Sequence, residues 1–349
     1  MGYSFSYEKF KDIDLNDSFF DSLKSDYKEF TDWFNRKSEE YAYIQTIDNN
    51  VEGFLYLKIE EGPILDVDPN IICNKAVKIG TMKINPHGTR LGERFIKKAL
   101  DFAIGNSIET IYVTVFGKHK ALIKMYKRYG FEEYADKSTH NGTEKVLLKK
   151  LNKKFSDSIL NYPKVDLNSK AYLLGIYPEY HTRMFPDSIL NNESIDIVKD
   201  VSHTNSIDKI YICRMRGVKK LRKDDLIVIY RTGDGKGPAA YRSVATSICI
   251  VQDIKSTKAF ATFDQYRDYC KNYSIFEDEE LKKLYYSRTE YFIIKMIYNV
   301  ALPKRIIRKK LIEEVRLSES SYWGFMNLTK EQLEDIISIS GVDKGYIID

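Results

Sequence analysis

Cysteine is scarce in this 349-residue chain, and what there is stands apart. Cys73, Cys213, Cys249 and Cys270 form no C-x-x-C pair, which excludes a zinc ribbon and a thioredoxin-like redox motif. Three of the four sit in apolar stretches and read as buried, reduced thiols. Histidine is nearly as sparse. His181 and His203 have no partners at metal-ligand spacing, so no metal site is expected and both read as ordinary loop residues. Long hydrophobic runs are missing too: no stretch approaches the ~18 apolar residues of a membrane span. The opening MGYSFSYEKFKD lacks the apolar core of a secretory signal, and the Gly2/Ser6 spacing is too weak a match to imply myristoylation. These absences point to a reducing cytoplasm and away from the membrane. Charge of one sign is also modest: 55 basic against 50 acidic residues leave +5, too little to imply nucleic-acid binding by itself, though a local basic face is allowed.

What is plentiful is aromatic. The 26 tyrosines and 18 phenylalanines can supply core volume, stacking platforms, or both. Apolar residues make up 43% and charged residues 30%, an ordinary balance for packed domains with a solvated surface. At this length two domains are expected.

Residues 1–150 read as mixed helix and strand. Phe19, Phe20, Leu23, Tyr27, Phe30 and Phe34 recur at spacings of three and four, predicting one amphipathic helix over Asp17–Arg36. Tyr41–Ile47 and Val51–Ile59 read as strands joined by an Asp48-Asn49-Asn50 turn. Strand Ala76–Ile84, helix Leu91–Ile104, strand Thr110–Phe116, helix Lys118–Arg128 and strand Glu144–Leu148 follow. A linker is placed at 151–169, around Pro163. Residues 170–349 carry strands at Ala171–Ile176, Lys209–Met215, Leu226–Arg231, Ala239–Asp253 and Tyr291–Val300. Helices are expected at Thr262–Lys271, Glu277–Tyr285, Lys304–Glu314 and Lys330–Ser338. That proportion predicts a small β-barrel with peripheral helices. The glycine-containing loop Thr232–Pro238 lacks the Gly-Lys-Ser/Thr arrangement of a nucleotide loop.

Chemistry concentrates between residues 78 and 103. A strand runs into a turn holding Gly88, and Gly92 falls in the first turn of the next helix. Helix N-termini offer up to four unbonded N–H groups and partial positive charge, so this turn suits a pyrophosphate. His87, Thr89 and Arg90 add donors. The alternative reading is a capped helix after a Gly turn.

The turn His87-Gly88-Thr89-Arg90-Leu91-Gly92, followed after a strand and helix by Tyr126-Lys-Arg-Tyr129-Gly130-Phe131, resembles the GNAT N-acetyltransferase superfamily, and the run IDLNDSFFDSLKSDYKEFTDWF with KIGTMKI and ERFIKKAL looks like a bacterial subgroup of it. Its turn is R/Q-x-x-G-x-G/A; here His87 stands at the first position and Arg90 at the first glycine. The resemblance implies an α+β fold, a mixed, mostly antiparallel sheet flanked by helices. It implies that acetyl-CoA lies between the Ala76–Ile84 and Thr110–Phe116 strands. Main chain of Met82, Lys83 and Ile84 would meet the pantetheine, amides of Gly88, Thr89, Arg90, Leu91, Gly92 and Glu93 the pyrophosphate, and His119 the cofactor arm. Tyr126 would protonate the leaving thiolate, and Glu60, Glu61 or His119 would serve as base.

The run Ala171–Tyr180 with LRKDDLIVIYRT resembles the PUA-like superfamily, in particular its ASCH branch, whose small barrels are often tied to RNA or modified nucleosides. Arg214, Arg216, Lys219 and Lys220 form a basic cluster, and Tyr177 and Tyr230 offer stacking rings. The combined expectation is an acetyl-CoA-dependent N-acetyltransferase whose second domain binds RNA or a nucleotide-linked acceptor. Two alternatives stay open: a non-catalytic binder of RNA or modified nucleosides on a GNAT scaffold, and a small-molecule or protein amine acetyltransferase. Oligomeric state is not legible.

Overall fold

Apolar alternation sets the first strands, and they form where the residues demand. In the computed structural model, which describes residues 3–85, 88–188 and 201–348, contacts divide the chain into two units, Met1–Asn161 and Tyr162–Asp349. The first holds, in order, β1 (Tyr3–Lys9), α1 (Asp21–Asp26), α2 (Phe30–Arg36), β2 (Tyr41–Ile47), β3 (Asn50–Glu61), β4 (Lys75–Ile84), α3 (Leu91–Gly105), β5 (Thr110–Phe116), α4 (Lys120–Arg128), β6 (Glu132–Thr139) and β7 (Gly142–Lys150). The strands make one sheet, ordered β1-β2-β3-β4-β5-β7-β6. Every neighbouring pair is antiparallel except β4–β5.

The single helix expected over Asp17–Arg36 is broken in two. Tyr27 is extended at φ −132°, ψ 103°, because its ring stacks on Phe116 at 5.4 Å and its hydroxyl donates to Glu144 at 2.7 Å. Tertiary bonds to β5 and β7 outweigh the helical period there. Helix α3 buries Leu91, Phe95, Ile96, Ala99, Leu100, Ala103 and Ile104. Each large side chain among them contributes about 1.5–3 kcal/mol relative to exposure. Gly53 of β3 admits this face, since a Cβ there would lie 2.6 Å from Leu91 Cδ2.

The second unit holds β8 (Val165–Asp166), β9 (Ala171–Ile176), α5 (Pro178–Met184), α6 (Ser202–Asn205), β10 (Asp208–Cys213), β11 (Leu226–Arg231), α7 (Ala239–Arg242), β12 (Val244–Ser256), α8 (Phe263–Cys270), α9 (Asp278–Tyr285), β13 (Phe292–Ile307), α10 (Arg308–Glu313), β14 (Phe325–Leu328), α11 (Lys330–Ser340) and β15 (Ile347–Ile348). The expected barrel is instead an open six-stranded sheet, β10-β13-β12-β11-β9-β14. Among the described residues no pairing joins β10 to β14. Both faces of the sheet are already packed: Leu226, Val228 and Tyr230 join Leu311, Leu333 and Ile336 of α10 and α11 on one side. Ile227 and Ile229 join Met184, Phe185 and Met296 on the other. Two elements also begin differently from the sequence reading. Ala239–Arg242 is helical before β12, and β13 continues to Ile307 because Ile306 and Ile307 pair with Ala245 and Val244.

Candidate active site

Parallel pairing between β4 and β5 lasts for three residues: Val77–Ile111, Lys78–Tyr112 and Ile79–Val113. The next residue, Gly80, is a bulge, for the β3–β4 register slips between Tyr56/Leu57 and Thr81/Ile79. A bulge bends and twists its strand, and here it turns β4 away from β5. No side chain fits at this position: a Cβ on Gly80 would sit 2.7 Å from Tyr56 Cδ1. Beyond the bulge the strands part, and between them opens a cavity of about 1440 Å3 that runs from the start of α3 to the ends of α1 and α2.

The edge of β4 lining that cavity carries Met82, Lys83 and Ile84. The main chain of these three pairs with Leu55, Phe54 and Gly53 on its other side. The Lys83 ammonium donates to the Phe19 carbonyl and lies 4.6 Å from the Phe19 ring centroid; burial lowers its pKa. That side chain is therefore committed to the wall, and only the Lys83 backbone faces the gap.

The turn into α3 is formed by residues with left-handed backbones: Gly88 at φ 74° and Arg90 at φ 60°. A Cβ on Gly88 would meet nothing within 4 Å, so the turn is open above its backbone. Arg90 occupies the N-cap and has no side-chain oxygen with which to cap; instead its guanidinium donates to Glu93 at 2.7 Å. The Glu93 amide, expected to point at a pyrophosphate, donates to the Arg90 carbonyl at 3.0 Å. That closes the first turn, so this amide is used within the helix and, contrary to the expectation, does not face the cavity. Gly92 is needed for packing as well, since a Cβ would fall 2.7 Å from Met125 Cε and 3.2 Å from Ile84 Cδ1. Thr89 and Leu91 also line the cavity, and His119, exposed at the N-cap of α4, lies on its wall. His87 lies outside the described residues.

Tyr126 is fully buried on α4. Its hydroxyl reaches into the splay and donates to Met82 Sδ at 3.2 Å, and its ring is braced edge-on by Phe131 at 5.0 Å. Burial raises its pKa well above the ordinary tyrosine value, so this phenol keeps its proton at any physiological pH. Glu60 lies at the other side of the cavity. It accepts a hydrogen bond from Tyr112 and another from Lys58 at 3.0 Å, with Lys78 at 3.9 Å. Burial works to raise its pKa, yet the Tyr112 hydroxyl and Lys78 outweigh it and the carboxyl ends below its ordinary value. As a base it is weakened. Lys78 is itself lowered, by burial above all.

Sequence reasoning missed part of this cavity. Two further tyrosine–carboxylate pairs line it, Tyr27–Glu144 and Tyr56–Glu40, along with Lys37 and Trp33. One pair joins β7 to the break between α1 and α2, the other joins β3 to the segment after α2, so no local helical or strand spacing announces them.

In the second unit Arg214, Arg216, Lys219 and Lys220 are exposed on the turn after β10. Lys219 makes a 3.5 Å ion pair with Glu290. Tyr177 is 61% exposed at the start of α5, in keeping with an available ring. Tyr230 is not available: it is buried and packs at 5.1 Å against Trp323. Its position in the middle of the sheet makes it core rather than a stacking platform. Among the described residues no cluster of three or more His, Cys, Asp or Glu side chains is placed to hold a metal. No described helix is long and apolar enough to cross a membrane.

No protein-family model matches the chain, and no curated protein does. Among solved structures, an ASCH protein mutant from Zymomonas mobilis is similar at 10% identity and a TM-score of 0.34, covering 49% of this chain and 96% of its own. A putative GNAT-family acetyltransferase from Desulfovibrio desulfuricans gives 12% identity and 0.32, covering 43% and 99%. A putative phosphinothricin N-acetyltransferase gives 16% and 0.33, covering 43% and 98%.

Proposed function

We propose that the first unit is a GNAT-type N-acetyltransferase domain that binds acetyl-CoA, and that the second is an ASCH-type, PUA-like domain that binds RNA or a nucleotide-linked acceptor. The observation that carries the first part is the splay of β4 and β5 beyond Ile79–Val113, opening beside the N-terminus of α3. The residues suit the ligand. The β4 edge at Met82–Ile84 offers main-chain groups to an amide-containing arm, and Gly88–Gly92 with the partial charge of α3 suits a pyrophosphate. Bound acetyl-CoA supplies an activated acyl group. The chain's own part is to orient an amine toward it and to hold a proton donor at Tyr126 Oη. That hydroxyl already donates to a sulfur, the thioether of Met82, so a thiolate in the splay would meet a donor aimed at its kind of acceptor. His119 is assigned to the cofactor arm, and Glu60 is the base candidate.

Titration calorimetry with acetyl-CoA tests this reading. Saturable heat is the expected result, and no heat up to ~1 mM, the weak end of specific binding, overturns it.

The depressed pKa of Glu60 favours a second reading, in which the unit binds the cofactor without turning it over. Release of CoA thiol on addition of an alkylamine separates the two. For the second unit, support comes from the exposed Arg214, Arg216, Lys219 and Lys220 together with the exposed ring of Tyr177. Single-stranded RNA is the probe there.

A further inference from the structure

A lysine of the chain occupies the inner part of the first unit's cavity. Lys37 follows α2, and its side chain is only 14% exposed. The ammonium donates to Glu40 Oε1 at 2.8 Å and to Tyr56 Oη at 2.9 Å. It also stands 4.8 Å from the Tyr56 ring centroid and 5.6 Å from that of Trp33. One carboxylate, one hydroxyl and two aromatic faces around a single nitrogen make an ammonium cage.

Tyr56 connects the cage to the splay. It pairs with Thr81 of β4, and its ring rests on the bulge at Gly80, where β4 leaves β5. The same tyrosine thus touches the held amine and the point at which the cofactor groove begins. Lys37, Glu40, Tyr56 and Gly80 all line one continuous cavity with Met82 and Tyr126.

We propose that Lys37 is an acetylation site of its own domain, an amine acceptor built into the wall. The inference rests on the reading of the first unit as an acetyl-CoA binder. In the step, Lys37 gives one proton through Glu40 to solvent, and the freed nitrogen lone pair attacks the thioester carbonyl carbon. A C–N bond forms and the C–S bond breaks with its electron pair going to sulfur. The nitrogen's second proton passes to the thiolate, so the products are the acetyl amide, CoA thiol and one released proton. The amide carries no charge and one donor in place of three, so it cannot keep the bonds to both Glu40 and Tyr56. Acetylation therefore opens the cage.

The test uses the full chain with acetyl-CoA, followed by peptide mass spectrometry over time. Lys37 is expected to gain one acetyl group at least ~10-fold faster than Lys153, which is exposed and away from the cavity, since an oriented intramolecular reaction outruns an untethered one, and at a rate independent of protein concentration. Lys37→Arg, which keeps the charge, should abolish that modification while calorimetric acetyl-CoA binding persists. Tyr56→Phe, which keeps the ring, should slow it. Binding of acetyl-CoA with Lys37 unmodified, or modified no faster than Lys153, overturns the inference and leaves the reading of the unit standing. A rate that rises with protein concentration assigns the chemistry to a second copy and also overturns it. Failure to bind acetyl-CoA at all overturns the reading itself, and the inference with it.

Discussion

Tyr126 and His181 are both fully buried polar side chains, and burial gives them opposite tasks. For Tyr126 it locks a proton in place, so the residue can donate a hydrogen bond to sulfur without ever titrating below the tyrosine range. Tyr126→Phe is expected to leave acetyl-CoA affinity nearly unchanged and to lower turnover by about 100-fold, the lower end for a positioned proton donor. Calorimetry beside a thiol-release assay checks the split. His181 is held neutral, its pKa pushed down to about 3 by burial first and by Arg231 and Arg305 second. Its Nε2 shares a hydrogen bond with Thr246 Oγ1 at 2.8 Å. Because the unfolded histidine binds a proton near pH 6.5 and the folded one does not, the unfolded state gains protons as pH falls. Nothing is lost above pH 6.5; between about 6.5 and 3 the second unit should weaken, by up to about 1.4 kcal/mol per pH unit for this group. His203, also pushed down to about 3, mainly by burial, adds in the same direction. Urea midpoints measured across that range should fall, and His181→Asn should flatten the slope.

At the scale of elements, the bulge in β4 joins stability to the site. Gly80→Ala must displace the Tyr56 ring, and an overpacked change of this kind costs about 1–3 kcal/mol; denaturant melts of the variant read it directly. Such a bulge was not visible beforehand, and the reason is physical. The run Ala76–Ile84 reads as a strand whether or not one residue slips, because register is decided by the partner strand. The same limit explains the divided helix, where Phe19 to Phe34 keep a helical period that the Tyr27–Glu144 bond overrides. It explains β6 too: Glu132–Thr139 is mostly polar and lies at a sheet edge, so no apolar alternation marks it. The strands Tyr41–Ile47, Thr110–Phe116, Ala171–Ile176 and Leu226–Arg231, by contrast, carry their bounds in their own side chains. The turn before α3 was legible for that reason also: glycines and a following helix are local signals. The end that holds Lys37 was not, since Lys37, Glu40, Tyr56 and Gly80 meet only in the fold.

For the whole chain, the proposed ligands differ between the two units. Acetyl-CoA at 100 times its Kd should add about 2.7 kcal/mol of stability, and hydrogen exchange should place the protection on β4, the start of α3 and β5 and not on β9 to β14. Reversing Arg214, Arg216, Lys219 and Lys220 to glutamate should weaken single-stranded RNA binding. It should also flatten the dependence of log affinity on log salt by about 0.7 per lost phosphate neutralisation. An unchanged slope would remove the basic turn from the interface. The chain also carries the means to watch both events. Its two tryptophans fall one to each unit, and each ring faces a cation: Trp33 beneath Lys37, and Trp323 at 4.5 Å from the Arg308 guanidinium. A cation over an indole perturbs its emission, and with excitation selective for tryptophan over the 26 tyrosines, Trp33→Phe leaves only the second unit's signal and Trp323→Phe only the first's. In the Trp323→Phe variant, acetylation of Lys37 should then alter the emission of Trp33, readable with no label attached.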